Sequence, residues 1–401
     1  MRIEMRRALS GWLGKLILLA GSLALALGGF EVALRVAESR QRVRRGDERQ
    51  TYMQPDPYLG WSKRPGARVT YVRPEYTVEV AINRHGLRDR ERAFGRVPGT
   101  FRVLALGDSF IEAYSVPFEA SVTALLERTI AGAGCPVEVI NAGTSGYSTD
   151  QEYLFYLREG ARYAPDVVVL FFHYNDLLHN VHERYYRQPK PRLDVAGGKV
   201  RLANFPVPPP PPAPPPGPPR PVAGSRAWAW ARERLMLGAP RAFNLLARAG
   251  LWEPLGGDTP SDELGAFAKR RSWEMQYAWR VTDRIIEALA RQVESAGSRL
   301  LVAYVPARME VSDRDWELSR LRYEFREDRW DRRLVWNRLA RSAQSGGFRA
   351  LDLTDALRRA DGLFRSTYYG RDGHWNERGH RVAAAELARW LRHEGWTPAC
   401  P

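Results

Sequence analysis

A serine stands where an apolar run stops. In FRVLALGDSFIEAYSV, residues 101–116, a strand-like segment ends abruptly on Gly107-Asp108-Ser109. Gly-Asp-Ser is ordinary turn chemistry, but a hydroxyl at a strand end can also be a nucleophile. A serine attacks only when a base takes its proton, and the charge that develops on the attacked carbonyl oxygen needs hydrogen-bond donors. A nucleophilic Ser109 therefore requires a histidine with an orienting acid, and amide donors converging from elsewhere. Three stretches contain such residues. INAGTSGYSTD (residues 140–150) holds Gly143 and Gly146, which let the backbone turn closely and aim an N–H into a crevice. LFFHYNDLLHN (170–180) holds Asn175, whose side-chain amide is a donor, and RDGHWNERGH (371–380) holds Asp372 and His374 in a turn.

The elements that must position these residues are legible in the hydrophobic pattern. From Phe101 the chain alternates strand RVLALG, helix EASVTALLERTIAGAG, strand VEVINAG, helix DQEYLFYLREGARY and strand DVVVLFF. The alternation resumes with RLLVAYVPA, RWDRRLVWNRLARSAQ, FRALDLT and a closing helix ERGHRVAAAELARWLRH. Strands that are apolar throughout, separated by helices, predict a parallel sheet covered on both faces. All four chemical blocks then fall at C-terminal strand ends or in the last connection, the edge where open α/β sheets bind ligands.

In these blocks and their order the sequence resembles the SGNH or GDSL serine esterases, of the membrane-anchored bacterial type. The resemblance covers residues 101–180 and 299–395. It implies a three-layer α/β/α fold with a flavodoxin-like parallel sheet. It assigns Ser109 as nucleophile, His374 as base and Asp372 as its orienting acid, with an oxyanion hole from Ser109, Gly146 and Asn175. It implies no metal and no organic cofactor. Two departures stand out. The position two before the asparagine, commonly glycine, is His173, expected to narrow or reshape the pocket. Asp372 and His374 are two apart where three is common, a form similar to exported polysaccharide-acetylating members. If Asp372 cannot reach the imidazole, a backbone carbonyl would hold His374 instead.

The implied activity is hydrolysis of an ester or O-acetyl group, on an extracytoplasmic carbohydrate or a small acyl ester, through an acyl-serine. The alternatives are an O-acetyltransferase acting on an exported polysaccharide with the same residues, and a non-catalytic carbohydrate-binding or assembly protein on the same fold. His173, His179 and His182 lack a His-Glu-x-x-His spacing and are read as local hydrogen-bonding groups rather than metal ligands. Asp108 and Asp176 are expected to stabilise turns, His380 and His393 to be surface or packing residues, and Asn376 to cap the closing helix.

The remaining chain frames this domain. Its 401 residues, 44% hydrophobic and 27% charged, describe a globular protein. The net charge of +15 comes from arginines spread along the chain with acids between them, and no nucleic-acid-binding motif accompanies it. Two cysteines, Cys135 and Cys400, exclude a disulfide scaffold and a four-cysteine zinc site; spacing does not say whether they pair. The basic MRIEMRRALSGWLGK precedes an apolar run over residues 16–30, which reads as an uncleaved signal-anchor or as a signal peptide. Arg2, Arg6, Arg7 and Lys15 predict that its N-terminus stays inside and the rest of the chain is exported. The expected organisation is a cytoplasmic N-terminus and transmembrane segment (1–36), a stalk and β-rich lead-in (37–100), and the hydrolase domain (101–395). A Pro-rich and helical insertion is expected at about 185–270, with Trp228, Trp230, Trp273 and Trp279 as packing residues. The prolines of 206–222 read as an exposed spacer.

Overall fold

The computed structural model describes residues 15, 18–37, 48–132, 136–185, 188–211, 224–253, 262–362 and 365–397. Cys135, Cys400 and most of the proline run lie outside them. The chain forms two compact units, Met1–Gly46 with Ala213–Pro254, and Asp47–Pro212 with Leu255–Pro401.

The second unit opens with two antiparallel hairpins, β1 (Met53–Asp56) with β2 (Gly60–Lys63) and β3 (Arg68–Arg73) with β4 (Tyr76–Ala81). A parallel sheet follows, from β5 (Phe101–Leu106), β6 (Val137–Asn141) and β7 (Val167–His173). Two short hairpins, β8 (Arg184–Tyr185) with β9 (Gln188–Pro189) and β10 (Leu193–Ala196) with β11 (Lys199–Leu202), interrupt it. The sheet is completed by β12 (Arg299–Val305) and β13 (Arg349–Asp352) in the spatial order β13-β12-β7-β5-β6. That is the flavodoxin-like order, and its switch point lies between β5 and β7, the place where sheets of this kind bind ligands.

The strand period of two divides the core. Val103, Val167, Val169, Phe171, Leu301 and Ala303 face helices Val122–Ala131 and Glu377–His393, meeting Leu126, Ile130, Leu387 and Leu391. Leu104, Val168, Leu170, Phe172 and Val302 face the other way, toward Phe155, Trp279, Ile285, Leu289 and Leu339. A third cluster joins the lead-in to the region of Ser109: Tyr71, Tyr76, Val78 and Val80 of β3–β4 pack with Tyr114. The lead-in strands thus belong to the same compact unit as the sheet.

Of the four tryptophans expected to pack, only Trp279 is buried; Trp228, Trp230 and Trp273 are 47%, 41% and 73% exposed. Trp273 is the first residue of its helix, Trp273–Ser295, and its ring stacks on Tyr277 one turn on. Trp228 and Trp230 belong to the first unit. There Leu18–Ala37 is a 20-residue helix of mean hydropathy 1.5, long and apolar enough to cross a membrane or to act as a signal sequence.

Candidate active site

Gly107 ends β5 because nothing larger fits: a Cβ there would lie 2.4 Å from the Ile111 side chain and 3.2 Å from Phe171. Asp108 then caps the short helix Ser109–Glu112, its carboxylate accepting the Phe110 N–H at 2.9 Å. Burial pushes the Asp108 carboxyl up, with His173, the Phe110 N–H and His374 acting against it. The turn and the nucleophile are therefore not rivals: Asp108 shapes the turn that presents the Ser109 hydroxyl.

His374 Nε2 lies 2.7 Å from Ser109 Oγ. On the far side of the ring, Nδ1 is hydrogen-bonded to Asp372 Oδ1. Gly373, at φ +81°, turns the chain between them, so the two-residue spacing brings both side chains to the same edge. The carboxylate itself holds the imidazole, and among the described residues no backbone carbonyl takes its place. Burial acts to raise the Asp372 carboxyl, but the hydrogen bond and charge of His374 and the Tyr76 hydroxyl outweigh it and hold it below the usual range.

The oxyanion candidates stand at the ends of neighbouring strands. Asn175 follows β7 and Gly146 follows β6, on either side of Ser109 at the end of β5. Among the described residues neither the Ser109 nor the Gly146 N–H has a protein acceptor. The Asn175 amide has its carbonyl oxygen buried with no hydrogen-bond partner among the described residues. Gly146 sits at φ +80°, and a Cβ there would lie 2.8 Å from the Tyr185 ring, so both conformation and space require glycine.

His173 sits beside this site. Its Nδ1 donates to the Val305 carbonyl at 2.7 Å, and its ring and that of His374 both pack on Phe110, at 5.0 and 4.8 Å. Burial lowers its pKa, against the opposing charge of Asp108 and the bond to Val305. His179 and His182 instead meet Glu263 and Glu274, each at 3.0 Å. Asp176 is buried beneath the Asn175 turn, accepting from Thr149 Oγ1 at 3.2 Å. Asn376 Oδ1 caps the closing helix, accepting from the Arg378 and Gly379 N–H groups. His380 is buried against the Val122 N–H at 3.2 Å, its pKa pushed down to about 3 by burial, whereas His393 is exposed.

Sequence reasoning missed the residues that hold these groups in place. Tyr76, at the start of β4, donates its hydroxyl to Asp372 Oδ2 at 2.8 Å. Its neighbour Glu75 accepts the backbone N–H groups of Gly370, Arg371 and Asp372 at 2.7, 3.0 and 2.9 Å. Strand β2 grips the Gly146 loop in the same manner. Trp61 Nε1 donates to the Ser145 carbonyl at 3.1 Å, and the buried Lys63 ammonium donates to the Gly143 carbonyl and to Thr144 Oγ1. These residues lie tens to hundreds of positions from their partners, in strands whose pattern predicts only a hairpin.

Burial keeps the Tyr76 hydroxyl protonated, with the nearby Tyr114 and Asp372 acting in the same direction. Y76F should therefore remove a donor to a carboxylate, worth about 1.5–3 kcal/mol, and lower kcat roughly tenfold or more. With more charge left to face His374, the acid limb of the rate profile should move to higher pH; an unmoved limb would mean that Tyr76 only packs. Lys63 is pushed down to about 8 by burial, against the opposing charges of Glu112 and Glu159. Between about 8 and its unfolded value near 10.4, the unfolded chain holds more protons at this site, so stability at Lys63 rises with pH across that window. Denaturant melts of wild type and K63M should show the difference between them shifting in favour of wild type from pH 8 to 10.

Residues 105–265 match the family model described as GDSL-like Lipase/Acylhydrolase family. Residues 270–400 match one described as SGNH hydrolase-like domain, acetyltransferase AlgX. No curated protein matches the chain. Among solved structures, the lipase/acylhydrolase from Enterococcus faecalis is 15% identical, covering 73% of this chain and 96% of its own, with a TM-score of 0.36. A variant of the acetyl-xylooligosaccharide esterase Axe2 from Geobacillus Stearmophilus is 13% identical over 75% and 97% of the two chains, with a TM-score of 0.36. The acetyl xylan esterase AlAXEase is 14% identical over 73% and 100%, with the same TM-score of 0.36.

Proposed function

The chain belongs to the SGNH/GDSL hydrolases, and from that premise we propose that it is an exported serine esterase that removes ester or O-acetyl groups through an acyl-serine. The observation that carries the reading is the contact of Ser109 Oγ with His374 Nε2 at 2.7 Å, with Asp372 on the opposite ring nitrogen. His374 takes the Ser109 proton as Oγ attacks the ester carbonyl, and Asp372 stabilises the imidazolium without accepting the proton. The Ser109 and Gly146 N–H groups and the Asn175 amide receive the oxyanion. His374 returns its proton to the leaving oxygen, then activates the water that releases the acyl group. Removing one such donor, as in N175A, should lower kcat by about 10²–10³ with the fold intact; an unchanged kcat would take Asn175 out of the oxyanion site.

The substrate class is an O-acetylated carbohydrate outside the cytoplasm, or a small acyl ester. The basic N-terminal flank and the helix Leu18–Ala37 support retention as a single-pass anchor with the catalytic unit on the extracytoplasmic side. A second reading, transfer of the acetyl group to a polysaccharide hydroxyl, is favoured by the acetyltransferase description that residues 270–400 match. Turnover of an aryl acetate with and without an acceptor oligosaccharide separates the two. Free acetate in both conditions supports the esterase, and acetylated sugar at the expense of acetate supports the transferase. No turnover, with sugar binding unaffected by S109A, would leave a binding protein.

A further inference from the structure

The first compact unit carries a basic and apolar face that the proposed chemistry does not use. Helix Leu18–Ala37 is apolar as far as Phe30, and Glu31 is its first carboxylate. At that level it is tied to the start of helix Arg226–Gly238. Glu31 accepts from Ser225 Oγ at 2.9 Å and from the Arg226 and Ala227 N–H groups, each at 2.8 Å. Arg35 donates to the Gly224 carbonyl at 3.1 Å, and the Phe30 and Trp230 rings meet edge to face at 5.3 Å. A retained anchor keeps its carboxylate in water and its apolar run in lipid, so the boundary falls near Phe30 and Glu31. The hydrogen bonds to Glu31 hold the first turn of Arg226–Gly238 at that depth.

What this places at the boundary suits it. Across residues 226–248 stand Arg226, Arg232, Arg234, Arg241 and Arg248 against one acid, Glu233. Trp228, Trp230, Leu237 and Leu245 are exposed on the same segment, and Leu251 just beyond it. Trp230 and Leu237, seven apart, share one helix face. In the following helix, Pro240–Arg248, Phe243, Asn244 and Ala247 are buried, while Arg241, Leu245 and Arg248 are exposed. The Arg234 guanidinium lies over the Trp230 ring at 5.3 Å, a pairing that leaves cation and aromatic at one level. Aromatic rings with arginines are the composition of helices that lie in a membrane interface. Pairing with a second copy would set these arginines against each other, which disfavours that occupant.

We propose that helices Arg226–Gly238 and Pro240–Arg248 dock on the surface of an anionic phospholipid bilayer beside the anchor, with Trp230 at the headgroup boundary and the arginines on lipid phosphates. The proposal rests on the retained anchor and is independent of the esterase chemistry. Docking costs little further entropy, because the anchor already holds the segment at the surface.

The full-length chain, reconstituted in phosphatidylcholine vesicles with and without phosphatidylglycerol, tests it. In the anionic vesicles amide exchange across 226–248 should slow, and lipids brominated near the headgroup should quench wild-type fluorescence more than that of W230F. R234Q/R241Q should lower the exchange protection about fivefold per arginine removed at low ionic strength, with turnover of a soluble aryl ester unchanged. Equal exchange in both vesicle types, or quenching that ignores W230F, would overturn the docking while leaving the esterase reading intact. Recovery of the mature chain without its first 30 residues would overturn it too, because the tether at Glu31 would be adrift from the bilayer.

Discussion

Replacing Ser109 or His374 by alanine is expected to lower ester turnover by a factor on the order of 10⁶, and replacing both should cost little more than either alone. The two groups act as one device: the serine is inert without the base, and the base has no proton to take without the serine. The 2.7 Å separation of Oγ and Nε2 places that proton transfer within direct reach. Neither substitution should threaten the fold, because both side chains sit at the partly exposed edge of the sheet rather than in its core. Steady-state kinetics on the single and double variants, with thermal melts as a control, check the point. Single-variant losses that multiply in the double variant would show that the two residues act separately.

The second large effect is expected at Asp372. D372N keeps the size of the side chain, yet kcat should fall about 10⁴-fold. The reason lies in what surrounds the carboxylate. Tyr76 donates to Oδ2, so an asparagine that keeps this bond turns its carbonyl oxygen toward Tyr76. Its NH₂ then faces His374 Nδ1, where the carboxylate oxygen had been. An NH₂ donor forces the lone pair onto Nδ1 and the proton onto Nε2, the tautomer that cannot accept from Ser109. Combining D372N with Y76F frees the asparagine to flip and should recover part of the loss. Equal rates for D372N and D372N/Y76F would contradict this role for Tyr76.

Ser109, Gly146 and Asn175 are legible in the sequence because each follows the end of a strand, and Asp372 and His374 because they share a short turn before the closing helix. The β-branched and aromatic run of Val167–His173 predicts a buried parallel strand, and Asn175 just beyond it inherits its position from that strand. Ser109 and Gly146 inherit theirs from β5 and β6 in the same way. Tyr76, Glu75, Trp61 and Lys63 carry no such signal. Their partners are made by the fold: Tyr76 meets a residue 296 positions away, and Lys63 one 80 positions away. The alternation of β3 and β4 says which side chains share a face, not what that face packs on. The tryptophans teach the complementary lesson. Trp228 and Trp230, two apart on one helix, point to nearly opposite faces, and neither face is buried in a core. Trp279 is buried because its helix, alone among those four positions, turns that residue toward β7 and β12, where Phe172 meets it at 6.2 Å.

The proposed chemistry turns on Ser109 as a nucleophile activated by His374. The most direct test is labelling of the full-length protein by a fluorophosphonate, which phosphonylates only an activated serine, with the adduct located by mass spectrometry. The expected result is a single adduct on Ser109, lost in S109A and in H374A. A folded wild-type protein that stays unlabelled, or an adduct that survives in H374A, would contradict it.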